Sequence, residues 1–344
     1  MKEKHVYIII PVYNREKLIT ACVNSVIQQT FSNWNAIIID DGSSDRTSGI
    51  LDEFAGKDER IIVLHQENTG IAGARNRGID EVFNRIADDK SGEYIGFLDS
   101  DDILEPYAFE RVINTAVKHN ADIVQWQAND FASDDEHPEV ITNRAAALDA
   151  VEIVTDSKGA LETLLDTKGK GADERFHLLW NNCRCVWTKM CAAHVYEGVR
   201  CPKGKAYEDD FIVDDLFLNA GKIVFINENL TNYRCHAGNF LKTTVLKDAF
   251  DHTECERNRF VHASSFEDDN LTSLAFHNVL MSTANSYAFS VEKKCADKSI
   301  WKSLEEVAKG HEKSFARIDK VIFKGFRIAP RLMNKIYFLY RKRK

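Results

Sequence analysis

Two aspartates that are one residue apart, Asp99 and Asp101, directly follow an apolar run of the chain. Carboxylates at this spacing on an extended chain project to the same side, so both can reach one divalent cation. Mg²⁺ and Mn²⁺ bind through one or two protein carboxylates together with phosphate oxygens, so the pair would suffice for a metal that bridges a diphosphate. The alternative is an acidic turn that caps a helix beginning near Glu105 and Pro106.

Polar residues also follow the earlier apolar runs. Asp41 could accept a hydrogen bond from a base N–H and distinguish uracil from other bases, and the ring of Tyr13 could stack on the base. The segment 68–76 carries two glycines and Arg75, so its backbone N–H groups and its guanidinium could meet a donor phosphate. The structural alternatives are a solvent-exposed turn with a helix cap, an aromatic residue at a rim, and glycines that allow tight helix packing.

A run of acids at Glu208, Asp209 and Asp210 supplies a candidate base. A carboxylate beside the donor could take the proton from an attacking hydroxyl, and one such group is enough for a single displacement with inversion. Hydrolysis of a glycoside would instead require two carboxylates that flank a bond. The alternative is an acidic first turn of the helix predicted over residues 211–218. His236 could complete a metal site begun by a carboxylate, or be an ordinary surface histidine after a strand.

The candidate site residues follow short β-branched runs, which alternate with stretches that are compatible with helices. The elements formed by these runs and stretches must therefore position the site. Continuous apolar runs of this kind suit parallel strands buried on both faces, and right-handed crossovers between them give an α/β fold with a doubly wound, mostly parallel sheet. Such a sheet binds ligands at the carboxyl ends of its strands, where the polar clusters would meet. The predicted strands lie at residues 6–10, 36–39, 61–64, 94–98 and 123–126.

The remainder of the chain is less regular. An insertion rich in acids and small residues carries a predicted helix near residues 160–165, a second ordered block includes a strand at 223–226, and the last part of the chain reads as helical. The predicted organisation is a catalytic domain over 1–235, with a nucleotide-binding half at 1–127, an acceptor-side half at 128–235 and the insertion near 129–176, followed by a helical region at 236–344.

The composition argues against several classes of protein. The chain has 344 residues, of which 44% are hydrophobic, and its formal net charge of −8 argues against general nucleic-acid binding. The eight cysteines lack paired C-x-x-C spacing, so reduced core thiols fit them better than a zinc site. No G-x-G-x-x-G follows the first strand and no P-loop motif occurs, which disfavours hydride transfer and ATP hydrolysis. The N-terminal apolar run is too short for a signal peptide, so a cytoplasmic location is expected.

The tail at 318–344 is basic, with nine Lys or Arg and a single acid, Asp319. Its apolar residues interleave with these cations as in a helix that lies on an anionic bilayer, which predicts peripheral contact with the inner face of the cell membrane. A lipid-linked sugar would then be within reach. The alternative is a C-terminal helix docked on the domain with a solvated basic end. The apolar residues of this pattern are Phe323, Phe326, Leu332, Ile336, Phe338, Leu339 and Tyr340.

Four ordered segments resemble the inverting family 2 glycosyltransferases, the kind that build bacterial capsular, lipopolysaccharide-linked and exopolysaccharide repeat units. They are VYIIIPVYNRE, SVIQQTFSNWNAIIIDDGSSDRT, ENTGIAGARNRGI and GEYIGFLDSDDILEP, and the resemblance returns at VWTKM, GKAYEDDF and NLTNYRCHAGN. The resemblance implies the glycosyltransferase A fold, with acceptor-side elements added after the strand that precedes the D-x-D motif, Asp99 to Asp101. The sequence also predicts a helical C-terminal extension.

The resemblance also implies roles for individual residues. Asp209 would be the catalytic base, and Asp101 would be the direct metal ligand with His236 as a second. Trp187 and Lys189 match a family motif for which the sequence suggests no role. The predicted donor-binding residues are Pro11, Tyr13, Asp41, Asn68, Arg75, Asp99 and Ser100.

The predicted reaction is an inverting, metal-dependent transfer of a sugar from a nucleoside-diphosphate donor, a UDP-sugar, to a hydroxyl of a glycan or lipid-linked glycan, with Mg²⁺ or Mn²⁺ as cofactor. One alternative is a nucleotidyltransferase that makes sugar nucleotides. Such enzymes begin with a glycine- and arginine-rich loop after the first strand, where this chain has Pro-Val-Tyr-Asn. Another is a non-catalytic relative that binds a sugar nucleotide or glycan, which would not need Asp99, Asp101 and Asp209 intact.

Overall fold

The computed structural model describes residues 3–86, 88–131, 151–166, 183–235, 245–293, 299–330 and 332–334. These residues fall into two compact units. The first unit contains the described residues up to 164, those at 183–204 and those at 208–235. The second contains 165–166, 205–207 and the described residues from 245 onwards.

The described strands of the first unit form one nine-stranded sheet. Its order is β3-β2-β1-β4-β8-β6-β9-β5, and β7 pairs with β9 beside β5. The strands β3, β2, β1 and β4 are mutually parallel, β8 is antiparallel to both β4 and β6, and β9 is parallel to β6. The strands are β1 (His5–Val12), β2 (Trp34–Asp40), β3 (Ile61–His65), β4 (Glu93–Phe97), β5 (Ile103–Leu104), β6 (Ile123–Phe131), β7 (Glu152–Thr155), β8 (Lys189–Ala192) and β9 (Ile223–Arg234).

Helices connect these strands in the order that the sequence predicts. The first crossover helix buries Cys22 and Val26, which lie four residues apart on one face of the helix. In the third, Gly78 packs so closely on β1 that an added Cβ would lie 2.3 Å from Cγ2 of Ile9, so a glycine is required there. The helices of this unit are α1 (Ile19–Ile27), α2 (Thr47–Ala55), α3 (Ile71–Arg85), α4 (Ala108–His119), α5 (Ser157–Leu165, whose last residue belongs to the second unit) and α6 (Asp210–Asn219).

The predicted fold class is confirmed. Every residue of β1 after His5 is buried, as expected for a parallel strand covered on both faces, and the predicted strands at 36–39, 61–64, 94–98, 123–126 and 223–226 are all present. The sequence did not predict β5, β7 and β8. Strand β8 lies in the middle of the sheet, between β4 and β6, and is antiparallel to both.

The second unit is helical in its described part, as predicted for the end of the chain. Aromatic rings fill its core, with Phe276 stacked on Phe315 and Trp301 stacked on Phe326. None of the described helices is both long and apolar enough to cross a membrane. The helices are α7 (Leu246–Ser264), α8 (Asp269–Glu292), α9 (Ser299–Ala308) and α10 (Arg317–Ile328).

Candidate active site

The carboxyl ends of β1, β2 and β4 lie next to one another, because these strands are parallel neighbours. The end of β1 is tied to the residue after β2 by the hydrogen bond from Asp41 N to Val12 O (2.8 Å), and to the end of β4 by the bond from Leu98 N to Ile9 O (3.0 Å). The polar residues that follow these strands therefore share one edge of the sheet, which is where an open α/β sheet binds its ligands.

Asp41 is held by the loop that follows β3. Its side chain is buried, and Oδ1 accepts hydrogen bonds from Thr69 N (2.9 Å) and from Gln66 Nε2 (2.6 Å). Oδ2 accepts one from Gly70 N (2.8 Å), at a residue whose φ of 78° suits glycine. Because a carboxylate oxygen can accept two hydrogen bonds, Oδ2 keeps capacity for a base N–H. The predicted contact of Asp41 with uracil stays a prediction.

Arg75 bridges two carboxylates of the site. Its guanidinium is buried on α3 and donates from NH2 to Asp99 Oδ1 (2.8 Å) and from NH1 to Glu208 Oε1. The bridge joins the D-x-D segment after β4 to the acidic run before α6, which are more than 100 residues apart in the chain. The two carboxylates raise the pKa of Arg75 against the opposing effect of its burial, so it stays charged. A direct contact of Arg75 with a donor phosphate remains a prediction.

Asp99 and Asp101 both keep part of their side chains exposed. Burial raises the pKa of Asp99, and the neighbouring Asp101 adds to that shift while Arg75 opposes it. A side-chain oxygen of Asp101 lies 3.7 Å from Nε of Arg15. Between them, Ser100 is buried.

The donor atoms at this edge fit a hard cation that takes few protein ligands. Asp99 and Asp101 offer carboxylate oxygens, the ligands that Mg²⁺ and Mn²⁺ prefer when phosphate oxygens and water complete the shell. Within the described ranges, no three His, Cys, Asp or Glu side chains come together to hold a metal by themselves. His236, the other predicted ligand, lies outside the described residues.

Asp209 sits at the start of α6 with its side chain partly exposed. Burial raises the pKa of Asp209 to about 7, and the nearby carboxylates of Glu208, Asp210 and Asp99 contribute to the shift while Arg75 opposes it. A carboxylate with a pKa near neutrality can both accept a proton at pH 7 and release it again. This is the property expected of a general base.

The other predicted donor-binding residues differ in accessibility. Tyr13 is 47% exposed just beyond β1, so its ring is open to stacking, and Asn68 is exposed while donating from Nδ2 to Asp41 O (2.9 Å). Pro11 is buried within β1, where it pairs with Ile39 of β2. The structure does not assign a ligand contact to any of the three.

Two features of the structure were not predicted from the sequence. Glu208 was noted only as a member of an acidic run, whereas the structure makes it the partner of Arg75. Lys189 is fully buried, and its Nζ donates to the carbonyl oxygens of Cys183 (2.7 Å) and Cys185 (2.6 Å), while Trp187 stacks on Tyr233. The Trp187 and Lys189 motif thus fixes the backbone just before β8, and burial lowers the pKa of the Lys189 ammonium.

Comparison with known families finds one that matches the first part of the chain. Residues 7–160 match the model of glycosyl transferase family 2. This segment contains β1 to β4, the Asp41 loop, Arg75 and the D-x-D residues. This match confirms the predicted resemblance to glycosyl transferase family 2 over these residues, which make up less than half of the chain.

Individual relatives are similar over different lengths. Glycosyltransferase GlyA of Streptococcus pneumoniae is 27% identical over 329 residues, which cover 96% of this chain and 41% of GlyA. The chain therefore spans less than half of the length of that relative. The Escherichia coli enzyme WfgD, a UDP-Glc:alpha-D-GlcNAc-diphosphoundecaprenol beta-1,3-glucosyltransferase, is 40% identical over 121 residues, which cover 35% of this chain and 44% of WfgD.

Among solved structures, residues 1–349 of TarS from S. aureus superpose with a TM-score of 0.71 at 18% identity, covering 99% of this chain and 92% of that one. A second structure of the same part of TarS, in complex with UDP-GlcNAc, superposes with a TM-score of 0.60 at 17% identity. At these identities the likeness concerns the fold alone, and it confirms the predicted glycosyltransferase A architecture.

Proposed function

We propose that this chain transfers a sugar from a UDP-sugar to an acceptor hydroxyl with inversion at the anomeric carbon. The observation that carries the proposal is the pairing of Asp209, a partly exposed carboxylate with a pKa of about 7, with the Arg75 bridge that ties its segment to the D-x-D strand. The proposed base and the proposed diphosphate site would thereby be held in one unit, as a single displacement requires.

The donor would lie along the edge formed by β1, β2 and β4. Tyr13 offers an exposed ring for the base, and the remaining acceptor capacity of Asp41 Oδ2 suits a uracil N–H. The choice of a UDP-sugar agrees with the UDP-GlcNAc bound by TarS and the UDP-Glc in the name of WfgD. The particular sugar depends on pocket shape, where a single hydroxyl can decide.

Asp99 and Asp101 would hold Mg²⁺ or Mn²⁺ against the donor diphosphate. When bound, the cation supplies positive charge that stabilises the leaving nucleoside diphosphate. Asp101 is the proposed direct ligand, while Asp99 remains bonded to Arg75 and so fixes the orientation of the segment. His236 is the second proposed metal ligand.

Asp209 would take the proton from the acceptor hydroxyl as its oxygen attacks the anomeric carbon. The bond from that carbon to the diphosphate oxygen breaks as the new glycosidic bond forms on the opposite face. Besides electrostatic stabilisation, the main contribution of the protein is to align Asp209, the acceptor hydroxyl and the anomeric carbon. The acceptor is proposed to be a glycan or a lipid-linked glycan of bacterial polysaccharide synthesis, since WfgD is named for a diphosphoundecaprenol acceptor.

The experiment is a panel of sugar nucleotides scored by thermal unfolding with and without Mn²⁺. A ligand at about 100 times its Kd adds about 2.7 kcal/mol to the free energy of unfolding, so the true donor should raise the melting temperature only when the metal is present. Release of UDP when an acceptor is added then separates a transferase from a protein that merely binds the donor. If no nucleoside diphosphate sugar stabilises the protein under either condition, the proposal fails.

A further inference from the structure

Helix α10 has three faces of different chemistry. Its buried face packs into the helical unit through Asp319, Phe323 and Phe326. The two phenylalanines, which the sequence pattern grouped with the lipid-facing residues of the tail, therefore point inward, against Phe276 and Trp301 respectively. Any surface that α10 offers must be made by other residues.

A second face of α10 is apolar and exposed. Ile318 is 62% exposed, Val321 59% and Ile328 83%, and these positions lie three and seven residues apart, as on one side of a helix. Leu332, just beyond α10, is 59% exposed as well. Single exposed aliphatic residues are common on protein surfaces, but a stripe of them along one helix indicates an interaction site.

The third face of α10 is basic and adjoins the apolar one. Arg317, Lys320, Lys324 and Arg327 follow one another at intervals of three or four residues, which places them side by side on the helix. Arg327 pairs with Glu305 (3.1 Å). The sole acid of α10 and of the chain beyond it, Asp319, is buried and accepts a hydrogen bond from Nδ1 of His277 (2.9 Å), so it does not offset this charge at the surface.

We propose that the exposed apolar and basic faces of α10, hereafter the α10 surface, dock on an anionic lipid bilayer. A helix whose apolar stripe lies beside a row of Lys and Arg matches a membrane interface, where the stripe enters the acyl boundary and the cations meet lipid phosphates. Five further cations follow at 335–344, which extends the same charge complementarity. This surface is separate from the proposed reaction, so either proposal can fail without the other.

The test is sedimentation of the full chain with vesicles of phosphatidylcholine and phosphatidylglycerol in about equal parts, against vesicles of phosphatidylcholine alone. The wild-type chain should sediment with the anionic vesicles only, and binding should weaken as salt is raised. No donor or acceptor is needed, so the result does not depend on turnover.

Two double variants test the two faces. Lys320→Gln with Lys324→Gln should weaken binding about thirtyfold, since each surface cation contributes about fivefold near anionic lipid. Val321→Ser with Ile328→Ser should weaken it about tenfold or more. The matched controls change exposed residues elsewhere in the same unit, Val261→Ser for the apolar face and Lys302→Gln with Lys309→Gln for the basic one, and should bind as the wild type does.

Three outcomes would overturn the proposal. They are failure of the wild-type chain to sediment with anionic vesicles, binding by the α10 variants equal to that of the wild type, and a loss of binding by the controls as large as that of the variants. A dimer in solution that Ile328→Ser converts to a monomer would assign the α10 surface to a second copy of the chain instead. Unchanged melting temperatures of the variants, expected because none of the substituted side chains is buried, exclude unfolding as the cause.

Discussion

Asp41 and Asp209 are carboxylates of the same candidate site, but their surroundings differ in kind. Asp41 accepts hydrogen bonds from one loop, and all of its donors are neutral: two backbone N–H groups, an amide and a hydroxyl. Asp209 lies among three other carboxylates, with Arg75 as the opposing charge. Neutral donors fix a carboxylate in position, whereas neighbouring carboxylates make its protonation adjustable. The first environment suits binding and the second suits proton transfer.

The largest effect should come from removing the carboxylate of Asp209. Asp209→Asn keeps the shape of the side chain but cannot accept the proton, so turnover should fall by about 10²- to 10⁴-fold. Donor affinity, measured by metal-dependent thermal stabilisation, should stay near that of the wild type. Retention of turnover by this variant would remove Asp209 from the mechanism.

Arg75 sharpens the comparison because it is the cation that opposes the carboxylates around Asp209. Arg75→Met leaves Asp99 and Glu208 without their shared cation and should lower the free energy of unfolding by about 3–5 kcal/mol, measured by urea denaturation. Glu208→Gln added to Arg75→Met should recover part of this loss, since one of the two stranded charges disappears.

Arg77, on the exposed side of the same helix, provides the matched control. Arg77→Met should change the free energy of unfolding by less than about 0.5 kcal/mol. Equal losses for the two arginine variants would mean that the buried bridge contributes nothing specific.

The pH dependence should also separate the two carboxylates. Because Asp209 must be deprotonated to act, kcat/KM should fall about tenfold per pH unit below about 7, and Asp41→Asn should leave that profile unchanged. The pKa of Asp209 in the folded state lies above its ordinary value of 3.8, so folding favours its protonated form and its effect on stability becomes unfavourable between pH 3.8 and about 7. Asp209→Asn should therefore gain stability relative to the wild type as the pH rises through that window, and a parallel pair of stability curves would contradict the assignment.

Asp41→Asn should instead disturb the hydrogen bonds that hold the loop after β3. The amide would place a donor against Thr69 N or Gly70 N, and an unpaired buried group costs about 1–3 kcal/mol. We expect the Kd of the donor to rise while kcat at saturation changes little. Glu67→Gln, at an exposed residue of the same loop, is the control and should change neither quantity.

The smallest effect should come from Asn68→Ala. This change removes the hydrogen bond from Nδ2 to Asp41 O at an exposed position, so the melting temperature should drop by the equivalent of about 0.5–1 kcal/mol. A rise in the Kd of the donor of about tenfold or more would show instead that Asn68 contacts the donor itself, as predicted from the sequence.

The part of the fold that was predictable is the part with a strong local pattern. The runs that became β1, β2 and β4 are largely apolar and buried, as parallel strands covered on both faces are, and this pattern survives in the sequence alone. The strand β8 has four residues and begins with Lys189, a buried ammonium that is satisfied by two carbonyl groups. In the sequence, a lysine is expected at the surface, and a four-residue strand is too short to show a hydrophobic periodicity that would indicate burial.

The positions of the acidic residues at the strand ends were predictable, but their hydrogen-bond partners were not. The acids after the strands could be placed on one edge because the topology places them there. The bridge from Arg75 to Glu208 joins residues 133 positions apart, and no local spacing predicts such a pair. The same holds for Phe323 and Phe326, since only the packing of the helical unit decides which side of α10 is buried.

The position of β8 has a consequence for biosynthesis. Because β8 separates β4 from β6, these two strands cannot be joined in one sheet until residue 192 has left the ribosome, although both are made before residue 132. During that interval β4 and β6 each present a row of unpaired N–H and C=O groups, which nascent chains can use to pair with one another. Chaperone dependence during synthesis is therefore expected, and a gene truncated after β6 should yield an insoluble product.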